Sequence, residues 1–342
     1  MKITKNTCFK LFTFIFPVKG YRRSLLFNSS INKIEFISND FYTLLIYLRT
    51  LPLLKASQKA GIRMSESIDQ IKLLVDAKCG FFCNRNDLVL FPEINTYWSK
   101  PAFITNAIID YNEQSSYSLS GVIKELLHLH CLSFQFRFYC ISQLNYLATL
   151  LEGFSSTYAS KIELIIKDDN YSSNDIVEFS NNNPRIISII IHSAKKDAVY
   201  SQPFCHIVFS KRNIEENSFC GEIDLGNFCL SIDMYSESLN YNSCLNRKVG
   251  IDVDGNIKNC PSMEHSFGNL KQKSIHEIIG KREFQKLWKF NKDKIDKCKD
   301  CEFRYFCVDC RAFLKKEKMY SAPLKCKYDP YEAKWNDWNQ LH

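Results

Sequence analysis

Glycine and proline are scarce in this chain, 11 and 9 of 342 residues, and no tract is of low complexity. That excludes a collagenous or linker-dominated protein. No window approaches the roughly twenty consecutive apolar residues that a helix needs to cross a bilayer. The opening run "CFKLFTFIFPV", Cys8 to Val18, carries Lys10 and is followed by "KGYRR" rather than a small-residue cleavage site. It therefore reads as a buried strand and not as an export signal, and a cytoplasmic location with no membrane partner is expected. There is no P-loop, no GxGxxG and no Ser/His/Asp order, so nucleotide-fold and serine-hydrolase chemistry have no anchor. The net charge of +8 is spread over "YRRS", "KREFQK" and "FLKKEKMY". Without one basic stripe, nucleic acid is not an expected partner.

What the sequence does hold is cysteine, 15 residues, together with 26 Phe and 17 Tyr. Hydrophobic residues make up 45% and charged residues 24%, the balance of a globular chain long enough for two or three domains. In a reducing compartment so many cysteines favour metal or redox chemistry over disulfides, and an odd number fits a disulfide framework poorly.

Three regions follow from composition and pattern. Residues 1–95 read as a small α/β unit, in which "CFKLFTFIFPV" and "RRSLLFN" are strands. "KIEFISNDFYTLLIYLRT" starts extended and turns helical behind Asn39 or Asp40 as N-cap. "SESIDQIKLLVDAK" is an amphipathic helix with Ile68, Ile71, Leu74 and Val75 on one face. "GFFCNRNDLVLFP" reads as a hairpin, which together give a winged-helix-like pattern. Residues 96–235 alternate strands such as "AFITNAIIDY", "FQFRFYC", "KIELIIK", "RIISIIIHS", "PFCHIVFS" and "NFCLSID" with helices such as "SLSGVIKELLHLHCL", "SQLNYLATLLEGF" and "SSNDIVEFSNNN". That alternation predicts parallel βαβ units in a sheet covered on both faces or in a partial barrel. Residues 236–342 turn cysteine-rich, with "GIDVDGNIKNCP" as a hairpin and "SIHEIIGKREFQKLWKFN" as a long amphipathic helix.

The cysteine-rich region carries Cys244 and Cys260, with Gly255 between them. Cys298, Cys301, Cys307 and Cys310 then follow in "CKDCEFRYFCVDC", and Cys326 closes the set. Two residues between cysteines let both thiolates reach one metal centre, and longer gaps bring ligands from other segments. Thiolates serve zinc and iron–sulfur sites alike. Seven cysteines nearly fill two four-ligand sites, so two zinc ions and two clusters are both open on spacing alone. Cys131, Cys140, the adjacent pair Cys205 and His206, and His128 and His130 read as structural, because neighbours on one strand, or two apart on a helix, diverge.

The pattern Cys244-x10-Gly255-x4-Cys260, Cys298-x2-Cys301-x5-Cys307-x2-Cys310 and Cys326 resembles the SPASM domain. That domain is appended to radical SAM enzymes which modify ribosomally made peptides. It departs from the family in the last pair, which is usually spaced by three residues. The resemblance implies two auxiliary [4Fe–4S] clusters. Cys244, Cys260 and Cys310 would serve the first, and Cys298, Cys301, Cys307 and Cys326 the second. The first then lacks a fourth ligand; Cys220 and Cys229 lie upstream, neither at a convincing spacing.

A radical SAM enzyme also needs a C-x3-C-x2-C loop after its first barrel strand. Here the loop after "AFITNAIIDY" is "NEQSSYSLSG", with no cysteine. The one C-x3-C, Cys79 and Cys83, has Asn86 where a third cysteine would stand, and it falls in the first region. S-adenosylmethionine is thus left without its usual anchor. The whole chain resembles the SPASM-domain peptide maturases of grasp-with-spasm systems, on "CFKLFTFIFPVKGYRRSLLFN" and "CLNRKVGIDVDGNIKNCPSMEHSFGN". That resemblance implies a degenerate radical-SAM-like α/β partial barrel between an N-terminal winged-helix-like domain and a C-terminal SPASM domain. It also implies an ATP-grasp ligase and a ribosomal precursor peptide as partners. The first region could bind the leader of that peptide by strand addition, with "CFKLFTFIFPV" and "RRSLLFN" as possible edges. An active redox enzyme and a zinc-stabilised peptide-binding module are the alternatives.

Overall fold

The computed structural model describes residues 3–155, 157–214, 220, 223–314 and 318–336. The centre of the "FLKKEKMY" patch lies outside them. The N-terminal region forms β1 (Cys8–Leu11), β2 (Ile15–Val18), β3 (Ser24–Asn28) and β4 (Lys33–Ile37). It continues with α1 (Asn39–Leu48), α2 (Leu53–Ala60), α3 (Met64–Asp76) and β5 (Gly80–Cys83). The opening apolar run is two strands and not one, because Ile15 N donates to Phe12 O and closes a turn between them. β2, β3 and β4 form an antiparallel sheet with β3 in the centre, while β1 pairs with β5. The cap of α1 is Ser38, whose Oγ accepts from Phe41 N, rather than Asn39 or Asp40.

The hairpin expected over residues 80–92 does not form. β5 takes β1 as its partner, with Cys83 opposite Cys8, and Arg85–Leu90 is a 3-10 helix. The polar "NRND" segment opens that helix through a reciprocal cap between Asn84 and Asp87, a local geometry that competes with a hairpin turn.

Side-chain alternation gives the three-stranded sheet two buried faces. Ile15 and Leu26 join the core under α1, α2 and α3. Phe16, Val18, Leu25 and Phe27 point the other way and pack with Phe303, Tyr305, Phe306 and Tyr328.

The rest of the chain is organised by one large sheet. Its elements are β6 (Asn106–Tyr111), α4 (Leu119–His128), β7 (Ser133–Ile141), α5 (Leu144–Glu152), β8 (Lys161–Lys167), α6 (Ser173–Asn182) and β9 (Ile186–His192). β10 (Ala198–Ser201), β11 (His206–Phe209), α7 (Ile232–Asn240), β12 (Lys248–Ile251), β13 (Asn256–Lys258) and β14 (Gly268–Asn269) follow. The nine strands lie in the order β10-β11-β9-β8-β7-β6-β12-β13-β14. The run from β12 through β6, β7, β8 and β9 to β11 is parallel throughout. One face carries Ala107, Ile109, Phe134, Phe136, Phe138, Leu164 and Val249 against residues of α4, α5 and α6. The helices α4, α5 and α6 that connect these parallel strands all pack against this one face. β12, which belongs to the cysteine-rich region by sequence, is hydrogen-bonded alongside β6.

Two further expectations change. "NFCLSID" is not a strand, since Ser231 Oγ accepts from Met234 N and starts α7. "SIHEIIGKREFQKLWKFN" is not one helix. It breaks into α8 (Ile275–Ile279), α9 (Arg282–Gln285) and a 3-10 turn over Lys286–Lys289. The break sits at Gly280 and Lys281, the latter extended at ψ 140. It lets Ile275, Ile278, Ile279, Phe284 and Trp288 all reach the core of the sheet. The chain closes with the small pair β15 (Tyr328–Asp329) and β16 (Lys334–Trp335).

Candidate functional site

The second face of the large sheet, opposite the helices, carries Asp110, Gln135, Arg137 and Glu163 by the same alternation. Arg137 is 1% exposed. Its Nε donates to Gln135 Oε1 at 2.7 Å, and its guanidinium lies 3.7 Å from Asp110. Cysteine-bearing segments cover this face.

The β12–β13 hairpin places Cys260. At its turn, Asp252 Oδ1 accepts from Asp254 N at 3.1 Å and Asn256 N at 2.8 Å. Gly255 adopts φ +79, a left-handed geometry that disfavours any side chain. The returning strand brings Cys260 and Pro261 directly over Gly250. A Cβ on Gly250 would stand 2.7 Å from the Cys260 carbonyl carbon and 2.5 Å from Pro261 N.

Around Cys260 a first group of thiols gathers. Burial pushes the Cys260 thiol up to about 12, with Cys244 and Cys220 adding to the rise. Burial likewise lifts Cys310 to about 11, and again Cys244 and Cys220 contribute. The Lys248 ammonium lies 3.4 Å from Cys244 Sγ. Cys220 is the member that spacing did not find. An Arg137 nitrogen approaches its Sγ at 3.8 Å, and Lys325 Nζ donates to its carbonyl at 2.6 Å. Cys229, the other upstream candidate, is exposed and sits against Ser231 Oγ at 3.4 Å.

The second group is Cys298, Cys301, Cys307 and Cys326. All four line one cavity, together with Ile223, Phe228, Phe303, Trp335 and Lys292. A 3-10 turn over Cys298–Asp300 sets the first pair, with Cys301 N donating to Cys298 O at 3.0 Å. The aromatics between the two pairs have a packing role: Phe306 meets Phe27 of β3 with ring centroids 4.7 Å apart. Phe303 meets Phe36 of β4 at 5.8 Å. Arg23 Nε pairs with the buried Glu302 at 2.7 Å. Burial pushes Cys298 to about 12, with Lys292 acting against the rise, and holds Cys301 well above the usual thiol value.

The two groups are stitched together between Asn242 and Asp309. Asn242 Oδ1 accepts from Cys244 N at 2.9 Å and Leu245 N at 2.8 Å. Its Nδ2 donates to Asp309 Oδ2 at 2.7 Å. Ser243 Oγ donates to Cys307 O and accepts from Asp309 N, both at 3.0 Å. Asp309, 0% exposed, also pairs with Arg311 at 2.6 Å.

The donor set fits iron–sulfur clusters. Each group brings together four thiols and one lysine ammonium, the first from segments as far apart as Cys220 and Cys310, the second from Cys298 to Cys326. Among the described residues, no three cysteine, histidine, aspartate or glutamate side chains gather tightly enough to hold one ion.

The remaining sequence candidates fall elsewhere. Cys79 and Cys83 are buried in the N-terminal unit, with Asn86 on the 3-10 helix. Cys131 and Cys205 are buried, and His128, His130 and His206 are exposed. The loop after β6 is pinned, with Ser115 Oγ donating to Val253 O at 2.7 Å and Tyr117 OH to the Asp110 carbonyl. No helix among the described residues is long and apolar enough to cross a membrane.

Comparison with known proteins adds the following. A family model for the SPASM iron–sulfur cluster-binding domain matches residues 243–302. That span contains Cys244, Cys260, Cys298 and Cys301 and ends before Cys307, Cys310 and Cys326. No curated protein matches. Among solved structures, Streptococcus suis SuiB is similar over 95% of this chain and 100% of its own, at 11% identity and a TM-score of 0.34. SuiB bound to S-adenosylmethionine is similar at 12% identity and a TM-score of 0.34. SuiB bound to precursor peptide SuiA is similar at 12% identity and a TM-score of 0.33. These last two matches each cover 95% of this chain and 99% of the other.

Proposed function

We propose that this chain is an iron–sulfur protein of ribosomal peptide maturation, acting beside an ATP-grasp ligase on a precursor peptide. Cys298, Cys301, Cys307 and Cys326 would hold one [4Fe–4S] cluster. Cys244, Cys260 and Cys310 would hold the other, with Cys220 as its fourth thiolate. The observation that carries the reading is the convergence of four cysteines on one cavity, supported by the SPASM match over residues 243–302. When bound, such clusters supply one-electron transfer. The chain's own residues hold the thiolates, exclude water with Phe228, Phe303 and Trp335, and set the spacing of the two groups through Asn242 and Ser243. The loop after β6 offers no thiolate, so S-adenosylmethionine cleavage is not part of the proposal.

The precursor would be recognised at the N-terminal unit. "RRSLLFN" cannot supply the edge, because it is the central strand β3. β2 is largely buried, whereas Lys33, Glu35 and Phe36 of β4 are exposed. β4 is therefore the strand on which an extended peptide could be added. Proline placed singly at Ile34 and at Glu35 separates the effects, since adjacent residues of an antiparallel edge present their N–H groups alternately inward and outward. Precursor affinity unchanged by both substitutions would remove this role.

The test of the main reading is iron, sulfide and zinc per chain after anaerobic purification. About eight irons with matching sulfide mean two four-iron clusters. Stoichiometric zinc without sulfide would overturn the reading in favour of a zinc-stabilised binding module.

A further inference from the structure

Each thiol group has one lysine ammonium at hydrogen-bond distance from a sulfur, Lys292 buried and Lys248 half-buried. Lys292 is 4% exposed. Its Nζ lies 2.8 Å from Cys307 Sγ and 3.3 Å from the Val308 carbonyl, and the side chain lines the same cavity as Cys298, Cys301, Cys307 and Cys326. Lys248 points from β12 to Cys244 Sγ at 3.4 Å. Among the described residues, neither ammonium has a carboxylate within ion-pairing distance. The nearby buried carboxylate, Asp309, is taken up by Arg311 and Asn242. A buried ammonium such as that of Lys292, without such a partner, needs negative charge beside it, which cluster-ligating thiolates would provide.

We infer that Lys292 and Lys248 are potential-setting residues, one for each cluster site, each donating a charged hydrogen bond to a ligating sulfur. The inference rests on the two-cluster reading above. One-electron reduction adds a negative charge to the cluster and its thiolates, with no bond made or broken. A fixed positive charge at hydrogen-bond distance in a dry site favours that reduced state, and hydrogen bonds to sulfur act in the same direction. The electron is supplied in the test by dithionite through mediator dyes.

The experiment is a redox titration of the anaerobically purified full chain, followed by electron paramagnetic resonance, after iron and sulfide are counted. Lys292→Met is expected to make one of the two clusters harder to reduce by tenfold or more, about 59 mV for one electron. Lys292→Arg should stay near the wild type, and Lys248→Met should shift the other cluster. An iron-loaded Lys292→Met chain with both potentials unmoved overturns this inference alone. Should Lys292→Met fail to hold iron, Lys292→Gln is titrated in its place. If neither retains a cluster, the lysine is a scaffold for the site, and the potential-setting role is overturned. A wild-type chain without iron overturns the cluster reading and this inference together.

Discussion

Gly250→Ala tests whether the hairpin that carries Cys260 is the element which builds the first thiol group. Gly250 lies on β12, paired with Lys258 of β13, and the chain folds back over it. An added Cβ would meet Pro261 N at 2.5 Å and the Cys260 carbonyl carbon at 2.7 Å, and it would meet the Pro261 ring as well. Two of these are backbone atoms, and a proline cannot turn aside. Overpacking usually costs about 1–3 kcal/mol, and backbone against backbone puts this site at the upper end, about 3 kcal/mol. The strain is relieved by lifting Cys260 away from Cys244 and Cys310. Iron should therefore fall from about eight per chain toward about four, with the cluster at Cys298, Cys301, Cys307 and Cys326 retained. Gly280→Ala is the control: φ there is −71 and the nearest atom stands at 3.7 Å, so iron and unfolding midpoint should both hold. Full iron and a wild-type midpoint in Gly250→Ala would refute the reasoning.

Cys220→Ser should lower iron at the first group and Cys326→Ser at the second, with additive losses in the double variant. If Cys220→Ser behaves like Cys229→Ser, Cys220 is not a ligand. Asn242→Ala leaves the Asp309 carboxylate short of a donor and the Cys244 and Leu245 amides short of an acceptor. A cost of about 2–3 kcal/mol in chemical denaturation and loss of iron at both groups are expected. Burial lifts the Glu237 carboxyl from 4.5 to about 7, against a hydrogen bond from Asn246. The folded chain then binds the extra proton between those values, so stability falls as pH rises from 4.5 to 7 by about 3 kcal/mol. Glu237→Gln should flatten that slope in denaturation midpoints measured across the window.

The alternation of strand and helix from Asn106 to His192 was legible because the strands are rich in apolar residues and two of the three helices carry their own caps, Ser118 and Ser172. The turn at Gly255 was legible for the same local reason. Partner choice was not. Nothing local tells β5 to pair with β1, and "NRND" satisfied a helical cap as well as it would have satisfied a hairpin. α2 was marked only by Pro52 at its start and Gly61, at φ 70, at its end, without a periodic apolar stripe long enough to stand out. The seven motif cysteines announce themselves by spacing. Cys220 does not, because its neighbours in the site are made by tertiary contact, through Arg137 on β7 and Lys325 near the C-terminus.

The same contacts explain why the sheet and the cysteine groups behave as one unit. β6 buttresses the hairpin that carries Cys260. It pairs with β12 from Lys248 opposite Asn106 to Ile251 opposite Ile109, and its following loop hydrogen-bonds back to Val253 at the hairpin turn. Asp110, at the end of the same strand, backs the arginine that reaches Cys220. Arg137 joins the polar face of the sheet to Cys220, so under the two-cluster proposal Arg137→Met should be felt first as lost iron at the Cys220 group and only then as lost stability.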